Sequence, residues 1–185
     1  MQAILDAAEA LLGERGYEAA TLKAMGERTG IPVASVYHYF ADRHQVETEL
    51  AQRYLRELDE RLRAALGRSE PGTLRDACDT VGDLYLAYMR EHPSFGELWF
   101  SGRSSLLSEL AQMFDASQAR QLWCHLTERA LIRPDTPPVV VELAFEAADR
   151  LFDVAFRRSP NGDDATIDEA RRLVAAYLGT YAPQR

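Results

Sequence analysis

An all-α fold is what the sequence predicts, on three observations. Apolar residues recur at three- and four-residue spacing in nearly every segment. No segment alternates apolar and polar residues over the length of a strand. Glycine or proline falls between the periodic segments, at Gly16, Gly30, Pro32, Gly72, Pro93, Gly102 and Pro134. The pattern divides the 185 residues into a three-helix head carrying a helix-turn-helix over 1–46 and a larger helical body over 47–185.

The first helix spans Gln2–Arg15, with Ile4, Leu5, Ala8, Leu11 and Leu12 on one face, and Gly16 stands where a left-handed cap belongs. Thr21 is the N-cap of a second helix that ends near Thr29. Pro32 fits the first turn of the third, where its missing N–H costs nothing. Asp42 caps the fourth, whose apolar face (Val46, Leu50, Leu58, Leu62, Ala65) continues to Leu66 before residues 67–72, including Pro71, end it. A fifth helix covers Leu74–Glu91 and stops at Pro93, a short segment over 95–100 precedes Gly102, and residues 106–130 make one or two helices. Residues 134–138 read as a stiff linker, 138–158 as a strong helix, 159–164 as a loop and 165–181 as the last helix. No internal repeat or low-complexity segment interrupts this order.

Residues Thr21 to Arg43, TLKAMGERTGIPVASVYHYFADR, carry the most specific spacing in the chain. Gly26 lets two helices cross closely, Gly30 supplies a left-handed turn, and Val36 locks the second helix onto the first. Ser35, Tyr37, His38 and Tyr39 then crowd one short helix with little charge. That is the spacing of a helix-turn-helix, whose second helix reads DNA.

Composition narrows the field. An apolar fraction of 46% excludes disorder and permits a substantial core. Cys78 and Cys124 have no metal-clip spacing and read as reduced thiols. No uncharged stretch approaches the roughly 18 residues of a membrane span, and Asp6 and Glu9 exclude a signal peptide at the start, so a soluble cytoplasmic protein without membrane contact is expected. The net charge of −8 runs against nucleic acid: the first 46 residues hold four bases (Arg15, Lys23, Arg28, Arg43) and six acids. DNA contact must therefore rest on a few placed cations and neutral hydrogen-bond donors.

Catalysis finds no support. The histidines are His38, His44, His92 and His125, and adjacent Cys124 and His125 point about 100° apart on a helix. No glycine-rich phosphate loop, paired-histidine zinc motif or serine elbow is present, so no metal or cofactor is expected.

The two C-terminal helices have apolar surface to spare. One stripe of the first holds Val140, Leu143, Ala144, Ala147, Leu151 and Val154, and a second holds Val141, Phe145, Ala148, Phe152, Ala155 and Phe156. Charge falls on one narrow face, Glu142, Glu146, Asp149, Asp153 and Arg157. A pairing of these helices with their copies in a homodimer is expected through Leu143, Ala147, Leu151, Val154, Leu173, Ala176 and Tyr177. Deep burial in a monomer core is the alternative. Aromatic and sulfur-bearing residues concentrate in the middle helices, alongside Arg103, Gln112, Gln118 and His125. Tyr85, Met89, Trp99, Phe100, Phe114 and Trp123 are candidates for a pocket that takes an apolar or aromatic small molecule. Ordinary core packing is the competing role.

With the motif placed, ILDAAEALLGERGYEAATLKAMGERTGIPVASVYHYFADR closely resembles the TetR family of one-component transcriptional regulators, including its ERGY segment and the Y-x-Y-F ending of the third helix. The resemblance implies a homodimer on a palindromic double-stranded operator, repression by default, and a small-molecule effector in the C-terminal body. It implies that Thr21 donates to a phosphate, that Tyr37 reaches one with its hydroxyl, and that Arg43 stands where the family has a backbone-pairing lysine. Ser35, His38 and Tyr39 then lie on the recognition helix, with Lys23 beside it, and of the two tyrosines Tyr37 is expected outward and Tyr39 in the core. Val33 and Ala34 replace the family's lysine and glycine, and Pro32 its serine cap; Val33 and Ala34 are expected against thymine methyl groups. The chain opens on helix one with no basic arm, so a shallow salt dependence of binding is expected. A helical protein-interaction adaptor that has lost DNA binding is the alternative.

Overall fold

The computed structural model describes residues 1–68, 72–101 and 105–183. The expected stop at Pro71, the break at Gly102 and the polar group of Arg103 lie outside them. Among the described residues the chain is helical throughout: α1 Gln2–Arg15, a 3-10 turn Tyr17–Ala19, α2 Leu22–Thr29, α3 Val33–Tyr39, α4 Arg43–Arg68, α5 Leu74–Glu91, α6 Pro93–Ser101, α7 Ser105–Glu128, α8 Val139–Arg158 and α9 Asp164–Gly179.

Local chemistry sets most of these ends. The Thr21 hydroxyl accepts from Ala24 N–H at 3.1 Å and opens α2. Gly30, at φ 71°, ψ 12°, closes it in the left-handed conformation. Asp42 accepts from Gln45 N–H at 2.9 Å ahead of α4, and Asp163 accepts from Thr166 N–H at 3.1 Å to open α9. Four sequence expectations shift. Pro32 precedes α3 as its cap residue, its carbonyl accepting from Ser35 and Val36 N–H at 2.8 and 3.1 Å. Pro93 is the first residue of α6 rather than only the stop of α5, the helical position that tolerates a missing N–H. The stretch expected as one or two helices is a single α7, and α9 ends at Gly179.

The contacts divide the chain into two compact units, residues 1–57 with 91–111, and residues 58–90 with 112–185. In the first, α1 packs on α2 and α6, and α2 on α3. Its core holds Ile4, Leu11, Leu12, Met25, Val36, Leu50 and Leu98, all at most 2% exposed. Tyr54 of α4 is buried there and ties three helices together: its hydroxyl donates to Glu9 Oε1 at 2.8 Å and shares a 2.7 Å hydrogen bond with Ser94 Oγ. Arg53 pairs with Glu9 and, at 3.0 Å, with Asp6. Burial pushes the Tyr54 hydroxyl far above the usual tyrosine range, so it stays a donor.

In the second unit α8 packs along α9. Leu62, Val81, Leu122, Leu126, Val140, Val141, Ala144 and Leu178 form the core. The charges of α8 do not all face water as patterned. Asp153 is buried and paired with Arg150 and Arg157, and Asp149 borders a cavity.

Candidate nucleic-acid interface and ligand cavity

Close packing builds the interface of the first unit. A Cβ added at Gly26 would sit 2.9 Å from the Ile31 carbonyl oxygen and 3.4 Å from both Val33 Cγ2 and Val36 Cγ2. Glycine is what lets α3 lie this close to α2. Val36 and Phe40 are the buried anchors of α3 and its end. With these inward, the other residues of the short helix turn out.

Ala34, Ser35, Tyr37, His38 and Tyr39 are all exposed, and Val33 is half-buried at the Gly26 contact. Tyr37 and Tyr39 are 55% and 53% exposed, so the expected core position of Tyr39 is corrected. Seven residues make barely two turns, and Val36 with Phe40 already fills the inward positions. The His38 and Tyr39 rings meet edge to face with centroids 5.7 Å apart. Thr21 is exposed, and because its oxygen accepts from Ala24, its own proton is left to donate outward. Lys23 is exposed and loosely paired with Glu27 at 3.7 Å.

Arg43 does not stand free. Its Nε donates to Glu47 Oε1 at 2.6 Å, an Nη donates to the Tyr17 carbonyl at 2.6 Å, and the guanidinium lies 3.9 Å from the Tyr17 ring centroid. His44 Nδ1 lies 3.0 Å from the second Glu47 oxygen. Burial and Glu47 push the Tyr17 hydroxyl up to about 12. Arg28 forms a two-pronged pair with Glu14 at 2.6 and 2.7 Å. Two of the head's four cations, Arg28 and Arg43, are thus closely held by carboxylates, and Lys23 loosely by a third.

The second unit encloses a cavity of about 90 Å³ bordered by α5, α7, α8 and α9 residues. Its walls are apolar and aromatic, including Val81, Met89, Leu122, Phe145, Phe152 and Leu178. Polar groups are few: Tyr85, Asp79, Asp115, Asp149, Arg171 and the Cys78 thiol. The Tyr85 hydroxyl is buried without a hydrogen-bond partner. Burial first, then Asp149 and Glu146, pushes the Asp115 carboxyl up to about 7. Burial also raises the Cys78 thiol to about 11, so it is no thiolate nucleophile at neutral pH.

Of the residues expected at a pocket, Tyr85 and Met89 line this cavity, while Trp99, Phe100, Phe114 and Trp123 do not. Trp99 and Phe100 belong to the other unit, where Trp99 packs 5.3 Å from the buried Phe95 ring. Trp123 donates its indole N–H to the Thr136 carbonyl at 2.8 Å, which is a structural task. The acids were missed because an acidic helix face normally signals solvent. What could have found Asp115 is its position three residues before Gln118, on the inward side of α7.

On α8 and α9, Leu143 and Leu173 are 54% and 48% exposed, Ala176 is exposed, and Ala147, Leu151, Val154 and Tyr177 are half-buried. Val140 and Ala144, patterned on the same stripe as Leu143, are buried in the unit's own core.

This arrangement defines a helix-turn-helix protein with a separate helical body, and comparison with known proteins says which kind. Residues 4–46 match the model described as bacterial regulatory proteins, tetR family, and residues 73–178 match a Tetracyclin repressor-like C-terminal domain. The chain belongs to the TetR family of transcriptional regulators. It is 29% identical over 178 residues to the HTH-type transcriptional repressor KstR2 of Rhodococcus jostii (strain RHA1), covering 89% of this chain and 82% of that protein. A TetR-family regulator from Streptomyces coelicolor shares 37% identity with a TM-score of 0.73 over 97% of this chain and 98% of that one. The fatty acid degradation regulator FadR of Bacillus halodurans shares the fold, with 14% identity and a TM-score of 0.74 over 94% and 97% of the two chains.

Proposed function

We propose that the chain is a homodimeric one-component repressor whose 1–46 head reads a palindromic operator and whose 47–185 body takes a small apolar or aromatic effector. One observation carries the reading: α3 turns Ala34, Ser35, Tyr37, His38 and Tyr39 to solvent while Val36 and Phe40 hold it against α2. An outward helix rich in hydroxyl and ring groups suits a major groove, where bases offer acceptors and thymine methyls. Tyr37 and Thr21 supply phosphate donors, Ser35, His38 and Tyr39 face base edges, Val33 and Ala34 offer apolar contact, and Lys23 adds a cation. Arg43 orients the start of α4 through Glu47 and Tyr17 instead of pairing with a phosphate.

Each copy presents one such helix, so the α8 and α9 faces around Leu143 and Leu173 pair two copies for two half-sites. The effector shifts the population from operator-competent to operator-incompetent dimers. The head's engaged cations favour the second reading, an adaptor that binds protein through the same helices.

Selection of genomic DNA fragments by the purified protein, followed by gel retardation, tests the proposal. Enrichment of a palindrome whose complex is displaced by the same unlabelled palindrome is the expected result. Failure to enrich any fragment over input, with a protein partner retained instead, favours the adaptor.

A further inference from the structure

We propose that the cavity of the body admits a compact amine with an apolar skeleton, its ammonium group held by Asp115 and Asp149 and donating to the Tyr85 hydroxyl. The inference rests on reading the body as the effector domain and names the charge class of the effector.

Three observations converge. First, the walls exclude most polar ligands: Val81, Met89, Phe145, Phe152 and Leu178 offer apolar and ring surface. Second, two polar groups of the lining lack partners. Asp115 makes no hydrogen bond or ion pair among the described residues, and the Tyr85 hydroxyl is buried with none. Buried polar groups of this kind normally find partners, and leaving one unsatisfied is destabilising. Third, the sign of the site is negative. Among the described residues the lining carries the carboxylates of Asp79, Asp115 and, at its exposed border, Asp149, and one guanidinium, that of Arg171, which is already paired with Asp83 at 2.6 Å. Asp115 and Asp149 both act electrostatically on the Tyr85 hydroxyl, and Asp149 on Asp115, so the three groups share one neighbourhood.

A cation satisfies all of this at once. Its N–H groups donate to the carboxylates and to the Tyr85 oxygen, and the Tyr85 and Phe145 rings, edge to face at 6.2 Å, offer negative ring faces nearby. An anion meets three carboxylates instead. The raised Asp115 carboxyl is the signature of a buried acid lacking a countercharge. Arg171 Nε is also buried without a partner and, with the Tyr85 hydroxyl proton, is a donor that an anionic ligand would use, a rival the test addresses. At about 90 Å³ the cavity is smaller than the roughly 150 Å³ void that takes up benzene, so the occupant is limited to a short branched alkyl skeleton.

Calorimetric titration of the full chain without DNA, using three probes of one skeleton, decides the matter: isobutylamine, isobutyl alcohol and isovalerate. The amine is expected to bind at least about tenfold tighter than the carboxylate. Asp115→Asn should shrink that ratio to about threefold or less while leaving the alcohol unchanged, and Asp149→Asn serves as the second variant, both checked for folding by circular dichroism. Tighter binding of isovalerate, an amine preference that survives both substitutions, or binding by none of the three at millimolar concentration would each overturn the inference. Operator selection is measured separately, so loss of the amine preference leaves the regulator reading intact, and loss of operator binding leaves the titration interpretable.

Discussion

Gly26 shows how one missing Cβ positions the whole interface. Alanine there must displace the Ile31 backbone carbonyl or push α3 outward, since that oxygen lies 2.9 Å from the added carbon. Gly26→Ala should cost about 1–3 kcal/mol of stability in urea unfolding and weaken operator binding through α3. Gly30 is different: its added Cβ would meet nothing, so its requirement is the left-handed backbone alone. Asp115 is the other informative single residue. Between the ordinary carboxylate range and about 7 the folded chain holds a proton that the unfolded chain releases. Stability should therefore fall as pH rises through that window and level off above it. Asp115→Asn removes the dependence. It should match the parent near about pH 4 and exceed its unfolding free energy by on the order of a few kcal/mol near about pH 8, while equal stabilities at the higher pH would contradict the buried-acid assignment.

Element α3 is short enough that its anchors and its readers are fully separated. Tyr37→Phe removes only an exposed hydroxyl, so the melting curve should hold to within about 0.5 kcal/mol while operator affinity drops by about fivefold to tenfold. An unchanged affinity would remove Tyr37 from the interface. Helix α4 begins on the opposite logic, with Arg43, His44 and Glu47 forming a closed cluster over Tyr17. Glu47 is buried, and its removal leaves the Arg43 guanidinium partly buried with one partner fewer. Glu47→Gln should consequently destabilise the head by about 1–3 kcal/mol, visible as a lower unfolding midpoint.

At the scale of the whole molecule, the proposed function depends on assembly and charge. Leu143 and Leu173 are exposed large apolar residues of the proposed pairing face, so on that proposal Leu143→Asp should convert dimer to monomer in analytical ultracentrifugation and abolish cooperative operator binding. A variant that stays dimeric would move the interface elsewhere. With Arg28 and Arg43 held by Glu14 and Glu47, few cations remain for phosphates. The logarithm of operator affinity should fall gently with the logarithm of salt, and a slope implying about eight or more neutralised phosphates per dimer would contradict this count.

How much was legible follows from range. Helix order, the caps at Thr21, Asp42 and Gly30, the close crossing at Gly26 and the membership of the head in its family all come from residues within a few positions of one another, and the linear pattern carries them. What only the tertiary structure decided depends on residues far apart in the chain. The Tyr17 carbonyl occupies Arg43; packing of α1 on α6 takes Trp99 into the first unit; Asp115 lines the same cavity as Tyr85. Periodicity tells which face of a helix is apolar, but a charged side chain looks the same in the sequence whether water or a cavity waits beyond it.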